Sequence, residues 1–344
     1  MLKQEKTEII SMGHGTIPLV DAFGRHHTYL RIAVTDRCNL RCHYCMPVAF
    51  PHWRPREEIL TFEEIVRIAG LLAAMGIRKI RLTGGEPTVR EGLETLIRLL
   101  AAIPGIEVMG LTTNGVRLVE MATGLRDSGI THLNISLDTL RRERFQEITR
   151  CDNFLAVRAG IDAAMAAGFQ AVKLNAVVIG GVNDDELLDY VELIRERPLT
   201  VRFIEYMPFK ENGWQPGRVV TAAEMMRRIR EQYPLEPVEM CADPQAVATD
   251  YRIPGLRGGI SFISPLSDAF CTRCSRLRLT ADGSLKTCLF KPAEVNLRET
   301  LRAGAPDDTL ETLIRSALTE KPLAHPPAAE LMAGNDRAMR DIGG

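Results

Sequence analysis

The stretch Cys38-Asn39-Leu40-Arg41-Cys42-His43-Tyr44-Cys45 sets three cysteines in a C-x3-C-x2-C spacing. Thiolates are soft ligands suited to iron–sulfur clusters or zinc. A structural zinc site is closed by four ligands, and His43 inside the motif could be the fourth. A [4Fe–4S] cubane usually takes one cysteine per iron. Three local cysteines then leave one iron open, able to hold a small chelating molecule and do chemistry on it. An incidental group of buried thiols is a third reading. The run before the motif, Tyr29 to Val34, alternates like a strand. Barrel enzymes place their sites in loops at the C-terminal ends of strands.

A second group lies downstream at Cys271, Cys274 and Cys288, with thirteen residues between the last two. Zinc ribbons bring two C-x2-C pairs. Here there is one pair, and the next histidine, His325, comes 37 residues after Cys288. Three thiolates again fit a cluster with an open iron. Arg273, Arg276 and Arg278 surround the group. Arg276 and Arg278 alternate with Leu277 and Leu279, which reads as an amphipathic surface strand or as two guanidiniums facing the cluster's cavity. Cys151 and Cys241 stand alone and read as small neutral thiols.

The chain has 344 residues, enough for a core domain and a smaller second one. Net charge is −1, from 43 basic and 44 acidic side chains, so nothing global points to nucleic acid. No run of apolar residues is long enough to span a membrane. The opening residues lack the apolar core of a secretion signal, so a cytoplasmic location is expected. Cysteine grouping in that compartment reads as metal binding more than as disulfides.

Residues 1–28 read as a lead-in, with His26 and His27 as solvated polar residues. From Tyr29 to Tyr206, strand-like runs at 29–34, 77–82, 106–111, 131–136, 171–178 and 200–206 alternate with helix-like runs near 62–75, 92–102, 117–127, 154–167 and 184–196. Thr61 and Glu64 form a capping box, and Gly76, Gly105, Gly129 and Gly168 punctuate the turns. The alternation predicts an α/β protein with a parallel sheet. A proline- and glycine-rich stretch near 208–240, with a helix at 221–231, marks a boundary. The expected division is 1–28, 29–235 and 236–344.

Polar residues recur at strand ends: Leu82 to Thr88 with Gly84, Gly85, Glu86 and Pro87, then Thr112, Ser136 and Met207. Glu86 reads as an acceptor for an ammonium group or as a helix cap. Arg31, Lys79, Arg81, Lys173 and Arg202 lie on the strands. They point either into the barrel or out to solvent. Inward, five cations would demand an anion, and a triphosphate would supply it.

Together the C-x3-C-x2-C loop, the aromatic Tyr44 before the last cysteine and the Gly-Gly-Glu-Pro turn resemble the radical S-adenosylmethionine (SAM) superfamily. Within it, the run Leu30 to Pro47 and the pattern Cys-x2-Cys-Ser-Arg-x-Arg around Cys271 resemble the GTP 3',8-cyclase family of molybdenum-cofactor biosynthesis, and all six grouped cysteines match. The resemblance spans roughly residues 14–344.

It implies a partial (β/α)6 barrel of the radical SAM type, with a smaller C-terminal domain carrying a second cluster. It implies two [4Fe–4S] clusters, on Cys38, Cys42 and Cys45 and on Cys271, Cys274 and Cys288. Tyr44, Gly85, Ser136 and Met207 would contact SAM. Thr112 would lie on that side and also touch the nucleotide. GTP would meet Arg31, Lys79, Arg81, Lys173, Arg276, Leu277 and Arg278, with Arg31, Arg276 and Arg278 at the reaction. The terminal Gly343-Gly344 would reach into the cavity, guided by Arg337 or Arg340. SAM cleavage would yield a 5'-deoxyadenosyl radical that takes the ribose 3' hydrogen of GTP, and the ribose radical would close on guanine C8. A flavodoxin- or ferredoxin-type donor, a downstream cyclic pyranopterin monophosphate synthase and a homodimer are further implications. The readings outside the family are a radical SAM peptide maturase with an auxiliary cluster, and a non-catalytic iron–sulfur or zinc protein.

Overall fold

The computed structural model describes residues 17–46, 53–238, 246–292, 295–334 and 337–343. Cys241, Pro47 and Gly344 lie outside them. Strand β1 (Tyr29–Ala33) opens a regular alternation: α1 (Phe62–Ala74), β2 (Lys79–Thr83), α2 (Leu93–Ala101), β3 (Val108–Thr113), α3 (Leu118–Asp127) and β4 (His132–Ser136). Then come α4 (Arg142–Thr149), α5 (Phe154–Ala167), β5 (Ala171–Val178), α6 (Leu187–Leu193), β6 (Thr200–Glu205) and α7 (Ala222–Arg230). The six expected strands form within two residues of their predicted ends. Helix α1 begins at the capping box: Thr61 Oγ1 accepts from Glu64 N, and Glu64 reaches back to Thr61 N at 2.8 Å. Helix α4 is short and polar and was not anticipated; only Phe145, Ile148 and Thr149 are buried on it.

The last third of the chain adds β7 (Glu236–Pro237), β8 (Thr249–Arg252), β9 (Gly259–Ile263), β10 (Arg276–Leu279), β11 (Ser284–Lys286) and β12 (Val295–Asn296). Four helices follow: α8 (Leu297–Arg302), α9 (Asp307–Thr319), α10 (Ala328–Gly334) and α11 (Met339–Ile342). Among the described residues one sheet runs in the order β12-β11-β10-β1-β2-β3-β4-β5-β6-β9-β8-β7. The six alternating strands are therefore not its full extent. Strand β10 pairs parallel with β1, and β9 pairs parallel with β6. Antiparallel strands then end the sheet at both edges. The sheet stays open, and its core is the layer of Leu, Ile and Val between strands and helices, such as Leu30, Ile80 and Leu133.

His27 corrects one expectation. It is buried, and its Nε2 lies 3.1 Å from Asp21 Oδ2. The segment 20–26 closes on itself through a bridge between Val20 and His26, which turns alternate residues inward. Burial and the nearby Lys321 hold His27 down at about 4, so it is neutral near pH 7. Asp21 also takes Arg25 Nε at 2.6 Å. Arg25 in turn donates to the carbonyl of Cys271 at 2.7 Å and to that of Leu323 at 2.8 Å. The lead-in thus fastens the second cysteine loop.

Candidate active site

The first cysteine loop leaves β1 and is pressed between neighbouring strand ends. A Cβ on Gly85 would lie 2.3 Å from the carbonyl oxygen of Arg37, and one on Gly84 2.5 Å from that of Thr35. The two glycines let the β2 turn bond directly to this backbone, Gly85 N to Thr35 O and Glu86 N to Arg37 O, each at 2.7 Å. Glu86 is buried beneath the turn. It accepts from Thr88 N at 3.0 Å, Thr113 Oγ1 at 2.7 Å and Asn114 N at 2.6 Å. It is therefore a cap, the second of its two expected roles. Asn114 then donates to Asn39 Oδ1 at 2.7 Å, and Leu40 N to Cys38 Sγ at 3.4 Å. From the other side Arg41 N and His43 N donate to the carbonyls of Thr149 and Ile148, at the end of α4.

Burial dominates the chemistry here. It pushes the Cys38 thiol up to about 11, Cys45 up to about 12 and Cys42 well above the usual range. Among the described residues no three His, Cys, Asp or Glu side chains converge on a single ion. Tyr44 donates to Asp138 Oδ2 at 2.6 Å, and Asp138 Oδ1 accepts from Val177 N at 2.9 Å. Burial raises Asp138 to about 6. Cys42, Tyr44, Ser136 and Asp138 line a small cleft of about 30 Å³.

On the same sheet lies a far larger cavity of about 530 Å³. Arg31, Lys79, Arg81, Lys173, Arg202, Arg276 and Arg278 all line it, and so does Met207. The inward alternative is thus the one realised for all five strand-borne cations. Parallel pairing sets them side by side: Arg31 is opposite Arg81 on β2 and Arg278 on β10. Burial, and then the neighbouring cations, lower Lys173 to about 8 and Arg202 to about 10. Buried Arg202 Nε, Asn175 Oδ1 and Thr112 Oγ1 have no hydrogen-bond partner among the described residues. Such orphaned atoms are costly unless a ligand answers them. Leu277 sits in the apolar core, so a nucleotide contact there falls to its main chain. Thr112 is not on the cavity's lining.

Cys271, Cys274 and Cys288 also line the large cavity. Burial would raise Cys274, but Arg276 and Lys321 outweigh it and bring the thiol down to about 6. Lys321 Nζ lies 3.6 Å from Cys274 Sγ. A thiolate next to a buried cation suits iron binding.

The tail helix α11 reaches both cysteine groups. Met339 and Ile342 pack with Phe290 and Cys288, while the charges of Asp341 and Arg340 act on Cys45. Gly343 accepts from Arg278 Nη1 at 2.9 Å. It occupies a seat where a Cβ would lie 2.5 Å from Thr83 Oγ1, at φ +82°. Arg337 pairs with Asp282 at 3.1 Å, and Arg54 joins the same carboxylate at 3.0 Å. Arg340 and Arg41 both lie 5.2 Å from the Trp53 ring centre. Both candidate guides therefore hold the tail, by different means.

Several site residues escaped sequence reading. Tyr29, two positions before Arg31, shares its strand face, and that spacing was the available signal. Lys321, Asp138 and Asp250 are brought in by tertiary contacts that no local pattern marks. Cys151 lies beside the first loop, its Sγ 3.7 Å from Asn39 O.

An open, mainly parallel sheet with a three-cysteine loop at the end of its first strand is the architecture of a radical SAM enzyme. The Radical SAM superfamily pattern matches residues 32–194, and the Molybdenum Cofactor Synthesis C pattern matches residues 199–327. The chain is 48% identical over 324 residues to the GTP 3',8-cyclase of Moorella thermoacetica, covering 94% of this chain and 99% of that one. It is 44% identical to the mitochondrial GTP 3',8-cyclase of Arabidopsis thaliana, covering 95% and 83%. The chain belongs to the GTP 3',8-cyclase family. Its fold is also that of Streptococcus suis SuiB bound to S-adenosylmethionine, at TM-score 0.56 and 14% identity, covering 83% of this chain and 64% of SuiB. SAM and an iron–sulfur cluster are the cofactors of that superfamily, and the first cysteine loop has the donor set for them. No helix among the described residues is long and apolar enough to cross a membrane.

Proposed function

We propose that the protein catalyses the SAM-dependent cyclisation of GTP to 3',8-cyclo-7,8-dihydro-GTP, the first step of molybdopterin biosynthesis. One observation carries the reading beyond family membership: nine lysine and arginine side chains and a second cysteine trio line one cavity. Cys38, Cys42 and Cys45 would hold the first cluster with SAM, which would supply the hydrogen-atom abstraction at the ribose 3' position.

The chain's own residues then have distinct tasks. Tyr44, Ser136 and Met207 hold SAM, with Gly85 fixing the loop on which it sits. Lys79, Arg81 and Lys173 grip the triphosphate through charge-assisted bonds. Cys271, Cys274 and Cys288 carry a second cluster that orients the guanine. Arg31, Arg276 and Arg278 surround the reacting nucleotide, with Thr112 and the Leu277 main chain nearby. The tail and the enclosed lumen keep water from the radical.

The division at residues 29–235 and 236–344 separates the part with the first cysteine trio from the part with the second. The electron comes from a flavodoxin- or ferredoxin-type donor, and the product passes to a cyclic pyranopterin monophosphate synthase. A cytoplasmic homodimer is part of the same proposal. The test is anaerobic incubation of the iron-loaded protein with GTP, SAM and dithionite, followed by product analysis. Cyclised GTP with equimolar 5'-deoxyadenosine is expected. SAM cleavage that GTP leaves unaffected, with GTP recovered intact, would overturn the reading.

A further inference from the structure

The large cavity holds more positive charge than its described walls balance. Asp250 is the single carboxylate among its described lining residues. It lies on β8 and acts on Lys173 and Arg202. Across the lumen stands Tyr29. Its hydroxyl oxygen accepts from Arg81 Nε at 2.8 Å and faces Arg31 Nη1 at 3.5 Å. Lys79 Nζ lies 4.8 Å from the centre of its ring. Guanidinium groups only donate. The phenol oxygen therefore plays the acceptor's part that a phosphate oxygen would play.

We propose that Tyr29 is a stand-in anion for the nucleotide's phosphates: it is a phenolate in the empty cavity and takes a proton from water when the polyphosphate arrives. It then turns from acceptor to donor toward a phosphate oxygen. The inference rests on the reading of this cavity as a nucleotide site.

The surroundings agree from every packed element. Arg31 faces Tyr29 from β1, Lys79 and Arg81 from β2, and Arg276 and Arg278 from β10. Farther off are His132 on β4, Lys173 on β5, Arg202 on β6 and Asp250 on β8, and, around the second cysteine loop, Arg25, Lys321, His325 and the thiols of Cys271, Cys274 and Cys288. Burial alone would raise Tyr29, but Arg81, Arg31 and Lys79 outweigh it and bring the phenol to about 7. An incoming polyphosphate cancels those charges and sends the phenol back up. The bound form is then the protonated one, so affinity falls as pH rises through 7, by up to about tenfold per pH unit. Lys173, at about 8, adds proton uptake of its own at higher pH.

The experiment is carbon NMR of the anaerobic, iron-loaded enzyme with 13Cζ-labelled tyrosine. The chain has six tyrosines, and Tyr29→Phe identifies the resonance in question. In nucleotide-free enzyme that resonance should move to the phenolate position as pH rises through about 7, and GTP or inorganic triphosphate should return it to the phenol position. The affinity of wild-type enzyme for GTP should drop between about pH 7 and 8, with a shallower slope in Tyr29→Phe. A resonance that stays at the phenol position to pH 9 without nucleotide would overturn the proposal, as would identical slopes. If GTP fails to bind at all, the nucleotide reading fails, while the nucleotide-free titration still decides the charge of Tyr29.

Discussion

The two cysteine trios have the same ligand chemistry in opposite settings. The first is enclosed by main chain and by the buried carboxyl groups of Glu86 and Asp138, and its thiols are all pushed up. The second borders a wide cavity beside Arg276 and Lys321, and Cys274 is pulled down to about 6. Rigid backbone defines the first site, and side-chain charge defines the second. A site held by backbone keeps one geometry, as radical generation requires. A site set by cations shares its electrostatics with whatever anion enters the cavity.

The sharpest way to break this comparison is to remove one cysteine from each trio. Cys42→Ala should abolish both SAM cleavage and cyclisation, by at least about a thousandfold. Cys271→Ala should lose cyclisation to a similar extent yet keep SAM cleavage, read as 5'-deoxyadenosine formed. Equal loss of both activities would collapse the two roles into one.

Gly85→Ala comes next. Its Cβ would meet the Arg37 carbonyl at 2.3 Å, with only backbone to yield. A cost of about 1–3 kcal/mol in thermal unfolding is expected, with iron lost from the first site and retained at the second.

Lys321→Met tests the charged site. Second-site iron affinity should fall about tenfold or more, with the first site unchanged, as measured by chelator competition. The smallest effect should come from Arg340→Ala, which removes one cation from the Trp53 ring. About 0.5–2 kcal/mol of tail docking should be lost, read as faster protease cleavage within the tail and as a change in Trp53 fluorescence.

The contrast also explains what was legible in the sequence. The six-strand alternation and the first motif are local patterns, and the structure follows them closely. Strand periodicity puts Lys79 and Arg81 on one face but does not say on which side of the sheet, and the family resemblance chose the inward face for them and for Arg31. Tyr29 obeys the same rule but was passed over, because a tyrosine beside cations does not advertise a ligand. Lys321 and Asp138 depend on contacts across 47 and 94 positions, to Cys274 and Tyr44. The sheet's extension was hidden for a related reason. Strands β9 and β10 begin 54 and 243 positions after the ends of the strands they pair with, β6 and β1, and only that register gives them meaning.

That late closure bears on how the chain is made. Strands β1 and β6 each end the sheet until residues 259–279 emerge from the ribosome and pair with them. Between the completion of β6 and the arrival of β9 and β10 the nascent protein presents two unpaired parallel edges, the kind of surface that recruits a neighbouring polypeptide. A truncation after residue 235 should therefore aggregate even with its first cysteine loop intact.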